Sequence, residues 1–297
     1  MKPGGKRKGG EKARTVSLLF LALTMILSGC SHYGTGAGSG SETKDLPSSE
    51  TERDISDGSE DAAYAWISDR IENGGLFTFG YAGTGFDGWE KNTEADITNE
   101  KAAWKLTYRS PEGIILRCKA EYRRKFSCVE WLMFFENAGN TDSPVISGIR
   151  PLHAVFGDGH GTLTTSTGSS LGASDFEPVT VDLRTTGGFS AKSLNGRSSS
   201  CAWPYFMLEK EGGGVVAAIG WTGEWSADFT YEKGAVTADA GMKKTEFYLR
   251  PGESVRTPSI TLMFWNGDRD SGFNKFRRMI LADYTPDDGS GKTTGYL

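Results

Sequence analysis

The chain has 297 residues, 33 Lys and Arg against 38 Asp and Glu, and 40 glycines without any Gly-X-Y period. That composition excludes a collagen-like rod, and the net charge of −5 argues against the basic stripe by which a protein tracks nucleic acid. The length accommodates one large all-β domain or two domains of ~150 residues each.

Charge is spread unevenly. Residues 1–30 hold six bases (Lys2, Lys6, Arg7, Lys8, Lys12, Arg14) against Glu11, whereas 31–61 hold eight acids against Lys44 and Arg53. The basic block runs into an apolar stretch at 16–27, VSLLFLALTMIL. This is too short for a bilayer span of ~20 residues and right for the apolar part of a secretory signal. It ends in Leu27-Ser28-Gly29-Cys30, which resembles the lipobox of bacterial lipoproteins. The resemblance implies a signal peptide over 1–29, lipid attachment at Cys30, and an exported, membrane-anchored chain. The plainer alternative is an ordinary secretory signal in which Cys30 is incidental.

Residues 30–61 are Gly, Ser, Thr and acid with almost no aliphatic side chains. Such a segment buries too little apolar area to offset chain entropy, so a disordered tether is expected there, with the folded body starting at 62. The remaining cysteines are Cys118, Cys128 and Cys201. Cys118 and Cys128 flank a short loop between strand-like runs, where a cross-strand disulfide and two buried thiols both fit. No C-x-x-C and no His/Cys metal-ligand spacing occurs among His32, His153, His160 and the cysteines, so no metal site is expected.

From 62 onward, short runs rich in Val, Ile, Phe, Trp and Thr alternate with Gly-Asp-Asn clusters. Strands are expected at 76–81, 103–108, 113–121, 128–136, 145–155, 179–183, 205–209, 215–221, 224–229, 245–249 and 259–264. With no interleaved helical period, the pattern predicts an all-β fold, one large antiparallel β-sandwich over 62–268. The exception is 270–284, where Phe273, Phe276, Met279, Ile280 and Tyr284 form one apolar stripe at helical period. Asp270 or Ser271 would cap that helix and Pro286 stop it.

Motifs for chemistry are sparse. Gly83-Thr84-Gly85-Phe86-Asp87-Gly88 matches G-x-G-x-x-G, but no helix pattern opens on it, so it reads as a loop and no cofactor is expected. Gly196-Arg197-Ser198-Ser199-Ser200 is not a nucleophile elbow, and no local spacing singles out a carboxylate pair. Thr222-Gly223 reads as a two-residue hairpin turn pairing Trp221 with Glu224 on one face, with Trp225 on the other. A surface Trp beside a carboxylate suits a sugar ring and its hydroxyls, which makes Trp221, Glu224, Trp225 and Trp89 candidate carbohydrate contacts. The competing reading is that Trp221 and Trp225 are sandwich core.

Three stretches resemble the N-terminal β-supersandwich domain of α-galactosidase-like enzymes of glycoside hydrolase family 36. They are Val129-Glu130-Trp131-Leu132-Met133-Phe134-Phe135-Glu136-Asn137-Ala138-Gly139; then Gly196-Arg197-Ser198-Ser199-Ser200 with Pro204-Tyr205-Phe206 and Ala218-Ile219-Gly220-Trp221-Thr222-Gly223-Glu224-Trp225; and Leu249-Arg250-Pro251-Gly252-Glu253 with Asn274-Lys275-Phe276-Arg277-Arg278. The resemblance implies a (β/α)8 barrel after this domain, carrying the catalytic aspartates. Such a barrel needs ~250 residues, so it is expected to be missing from these 297. No catalytic residue carries over. Residues 269–286 would then be a linker helix toward that barrel and 287–297 a tail. The resemblance implies α-galactoside-like carbohydrate as ligand, with the loops at 80–88 and 157–161 at the rim of the barrel's pocket. The alternative from a different class is a free-standing carbohydrate-binding surface lipoprotein.

Overall fold

The computed structural model describes residues 57–157 and 159–286. They belong to one contact unit, residues 52–297, and it alone is considered. The lipobox with Cys30, most of the tether and the tail at 287–297 lie outside the described residues.

The body opens with a helix that the strand-rich pattern did not announce, α1 (Glu60–Asn73). Glu60 and Asp61 sit in its first turn, where negative charge complements the helix dipole. Ala63, Ile67 and Ile71, at i, i+4 and i+8, are its buried face. The folded body therefore begins before residue 62, at Asp57 and Ser59, which are already bonded into it.

The strands follow as β1 (Thr78–Tyr81), β2 (Glu90–Ile97), β3 (Lys101–Arg109), β4 (Ile114–Arg123), β5 (Cys128–Asn137), β6 (Ile146–Arg150), β7 (Leu152–Phe156), β8 (Thr162–Ser166) and β9 (Pro178–Asp182). A one-turn helix, α2 (Leu183–Thr186), leads to β10 (Gly188–Lys192), β11 (Tyr205–Lys210), β12 (Gly213–Gly220), β13 (Trp225–Glu232), β14 (Ala235–Met242), β15 (Glu246–Phe247), β16 (Ser254–Arg256) and β17 (Ser259–Asn266). The chain then enters α3 (Arg269–Asp283). The antiparallel all-β class is as expected. The strands missed in the sequence are instructive: β2 is exposed along its whole length, so no apolar alternation marks it.

Ten strands form one sheet in the order β2-β3-β4-β5-β17-β12-β11-β8-β9, with β16 beside β5. The β16–β17 break falls at Thr257-Pro258. Proline has no N–H for a ladder, and Thr257 fills the gap by donating its N–H to Met133 O at 3.0 Å. A four-stranded sheet, β10-β13-β14-β7, covers one face of the large sheet, and β1-β6-β15 make a third.

Alternation builds the core between the layers. Val129, Trp131, Met133 and Phe135 of β5 point inward with Trp225, Ala227 and Phe229 of β13 and Val236, Ala238 and Ala240 of β14. Phe206 of β11 crosses the interface, its ring 5.7 Å from Trp225 and 5.0 Å from Phe229. Trp131 also donates its indole N–H to Pro151 O at 2.7 Å, which satisfies its polar atom inside the core.

A second cluster lies on the opposite face of the large sheet, where Met279 of α3 packs among Cys128, Met207, Val216, Met263 and Trp265. Asp268, one residue before the helix, caps it by accepting from Ser271 N at 2.8 Å. The expected caps Asp270 and Ser271 lie inside the helix. The expected stripe is corrected as well. Phe276, Met279 and Ile280 face the sheet, but Gly272 and Lys275 join them, while Phe273 and Tyr284 remain exposed.

The cysteine question is settled by register. Cys118 pairs across strands with Met133 and Cys128 with Arg123, so they are five rungs apart and on opposite faces of the sheet. Both are buried thiols, and burial pushes each up to about 12.

Candidate functional site

The Trp221–Glu224 turn is not a hairpin. β12 pairs with β11 and β17 in the large sheet, whereas β13 pairs with β10 and β14 in the small one, so Thr222-Gly223 carries the chain between layers. Trp221 and Glu224 are therefore not a cross-strand pair. Trp221 is half-buried, with the Arg256 guanidinium 5.5 Å from its ring centroid. Glu224 accepts from Lys243 Nζ at 2.8 Å and from Gly196 N at 3.2 Å, and these bonds, Lys243 foremost, hold its carboxyl below the usual range. Trp225 is fully buried, its indole N–H donated to Ser198 O at 2.7 Å, so it has no face left for a sugar.

Trp89 closes the glycine-rich loop after β1. Its ring stands edge-on to Tyr81 at 4.9 Å and to Phe79 at 5.7 Å, which makes it half-buried. The loop is a turn in which Tyr81 and Thr84 exchange backbone hydrogen bonds, and the strand β2 follows it. The loop at 157–161, of which residue 158 lies outside the described residues, is tied down by Arg184, whose guanidinium donates to Gly159 O at 2.9 Å.

The structure assembles one charged constellation that has no signature in the sequence. On the outer face of the large sheet, a groove of about 750 Å³ is bordered by Glu94, Lys119, Glu121, Arg123, Glu130 and Tyr284. Arg123 donates to Glu130 at 2.9 Å, to Asp283 at 2.7 Å and to the Tyr284 hydroxyl at 2.9 Å. Tyr284 in turn donates to Glu130, and burial together with that carboxylate pushes its phenol up to about 12. Both carboxylates beside Arg123 are bonded to it. The groove is a surface where α3 meets the sheet. Among the described residues, no three His, Cys, Asp or Glu converge to hold a metal ion.

The architecture is a large antiparallel β-sandwich with a C-terminal helix on its outer face. It superposes on part of several solved chains. The GH36 α-galactosidase of Geobacillus stearothermophilus, in a structure with raffinose, matches 72% of this chain at 14% identity and a TM-score of 0.58. The α-galactosidase of Lactobacillus brevis matches 69% at 14% identity and a TM-score of 0.56. The galactosidase domain of an α-galactosidase–sucrose kinase matches 72% at 12% identity and a TM-score of 0.56. At these identities the likeness is one of fold. The chain spans about a third of each of these proteins: 33%, 31% and 33% of their lengths, respectively. No protein-family profile and no curated protein sequence matches it.

Proposed function

We propose that the folded body, residues 57–286, is the non-catalytic N-terminal β-supersandwich domain of an exported α-galactosidase-like glycoside hydrolase, held at a membrane by lipid on Cys30. Its role is to support and shape the active site of a (β/α)8 barrel that continues the chain. The observation that carries this reading is the superposition of most of the body on about one third of family 36 α-galactosidases. The outer side of α3 supports it: Phe273 and Leu281 are 46% and 44% exposed, apolar side chains left uncovered on a helix already packed on a sheet. In this reading those side chains meet the barrel, and α-galactosides are the substrate class.

The test is to read the coding DNA beyond Leu297 and to assay the resulting protein. An in-frame continuation of ~250 residues with alternating β and α pattern is expected. The 297-residue chain alone should then be inert toward α-galactosides, and the extended protein active. A stop codon at that point would overturn the domain reading and make a free-standing carbohydrate-binding lipoprotein the function to pursue.

A further inference from the structure

A second aromatic assembly lies outside the candidate carbohydrate contacts Trp89, Trp221 and Trp225. Phe176, Trp203, Tyr205 and Phe276 form a run of rings with successive centroids 4.9, 5.4 and 5.2 Å apart, crossing at 77°, 66° and 66°. The inner end is anchored on α3. The outer end is open: Phe176 is 49% exposed, and Trp203 and Tyr205 are half-buried. In an edge-to-face pair at least one ring keeps its faces free, so this packing fixes the rings without consuming their stacking surface.

Two loops hold the outer rings. The β8–β9 loop carries Leu171 at φ 66° and Phe176 at φ 60°, and the β10–β11 loop carries Asn195 at φ 60° and Cys201 at φ 74°. These are left-handed conformations that side chains with a Cβ rarely adopt, and they persist where the surroundings impose them. Here the surroundings are visible. Gly168 N donates to Cys201 O at 3.0 Å, Ser169 N to Ser199 O at 2.7 Å and Trp203 N to Ser166 O at 3.1 Å. Gly168 lies so close that a Cβ there would sit 2.2 Å from Ser199 O. Asp175 receives the N–H groups of Ser170, Leu171 and Gly172 and the hydroxyl of Ser169, so its charge is spent inside the loop. Besides Asp175, the two loops hold only Glu177 and Arg197 as charged residues, against seven serines.

We infer that the Phe176–Trp203–Tyr205 surface is a binding site for a neutral oligosaccharide. A pyranose offers an apolar face of C–H groups rimmed by hydroxyls. Pre-set rings carried on serine-rich loops offer partners for both parts, and loops held rigid before binding reduce the ordering cost. The site does not depend on the barrel reading: it stands whether or not the coding sequence continues.

The probe is raffinose, with maltotriose as a second neutral sugar, followed by saturation-transfer NMR on the full chain. Phe176→Gly is the decisive variant, because glycine accepts the left-handed backbone and removes the ring without adding strain. Phe273→Ala, on the outer side of α3, is the control. The expected result is saturable binding at millimolar sugar, weakened about tenfold or more by Phe176→Gly and unchanged by Phe273→Ala. Absence of any transfer for both sugars up to ~50 mM, on the scale of such weak affinities, would overturn the proposal. So would equal binding by Phe176→Gly. Concentration-dependent self-association abolished by Phe176→Gly, without sugar binding, would assign the surface to a protein contact instead.

Discussion

Lys275 Nζ lies 2.9 Å from Asp57 Oδ1, joining two residues 218 positions apart and tying the start of the folded body to α3. The lysine side chain is only 4% exposed, and its other donors reach Ser59 and Ser127 Oγ, each at 2.9 Å. Every proton of the buried ammonium thus has an acceptor. Removing Asp57 leaves a buried charge without its counter-ion, whereas removing Lys275 leaves a partly exposed carboxylate that keeps other donors. Asp57→Ala is therefore expected to destabilise by about 2–4 kcal/mol and Lys275→Met by less, read from urea unfolding midpoints.

The same pair gives a pH dependence. Burial raises the Asp57 carboxyl, but bonds from Ser59, Lys275 and Asn266 outweigh it and leave the group below its usual range. A depressed carboxyl contributes stability that is present above the unfolded value of about 3.9 and is lost as pH falls through the lower folded value. Unfolding curves between about pH 5 and 2 should show part of this acid loss disappearing in Asp57→Asn.

Gly272 sits in α3 against Trp265. Glycine to alanine in a helix interior ordinarily gains up to about 1 kcal/mol. Here the added methyl would lie 2.7 Å from the Trp265 ring, which is itself only 2% exposed, and 2.9 Å from Met207 Cε. Met207 can swing aside, but the indole cannot, and overpacking costs about 1–3 kcal/mol. Gly272→Ala should lower the melting temperature; an increase would mean that α3 shifts freely on the sheet.

Trp221 and Trp225 should separate cleanly. Truncating the fully buried Trp225 to Ala removes ring contacts with Phe206 and the bond to Ser198 O, at a cost of about 3–5 kcal/mol. Trp221→Ala, at a half-buried crossing residue, should cost about 1 kcal/mol. Equal losses in thermal unfolding would contradict the assignment of the two residues to different environments.

Thiol labelling reads the register of β4 and β5. With both thiols buried and raised to about 12, Cys118 and Cys128 should resist iodoacetamide in the native protein while exposed Cys201 is alkylated first. Peptide mapping by mass spectrometry checks the order, and rapid labelling of Cys118 would place local opening in the middle of the core.

The lipid anchor proposed for Cys30 is tested in the producing cell. Cys30→Ala should move the chain from the membrane fraction to the soluble exported fraction and abolish incorporation of labelled fatty acid. Retention at the membrane with no incorporated label would leave the proposal without support.

Much of this architecture is local and therefore legible in a single sequence. The period of two in β3, β4, β5 and β13, the turn clusters between them and the period of α3 identify the class and most elements, because each signal is contained in a dozen residues. Only tertiary structure decided the rest. Alternation tells which side of a strand a residue takes, but not which sheet the strand joins, so Trp221 and Trp225 read as a hairpin although packing sends β12 and β13 to different layers. Register separates Cys118 from Cys128 for the same reason. The Asp57–Lys275 tie and the Arg123–Glu130–Tyr284 cluster join residues more than 150 positions apart. Nothing near either partner announces such contacts. They exist because the large sheet brings distant strands and α3 onto one face, and that choice belongs to the packing of the whole chain.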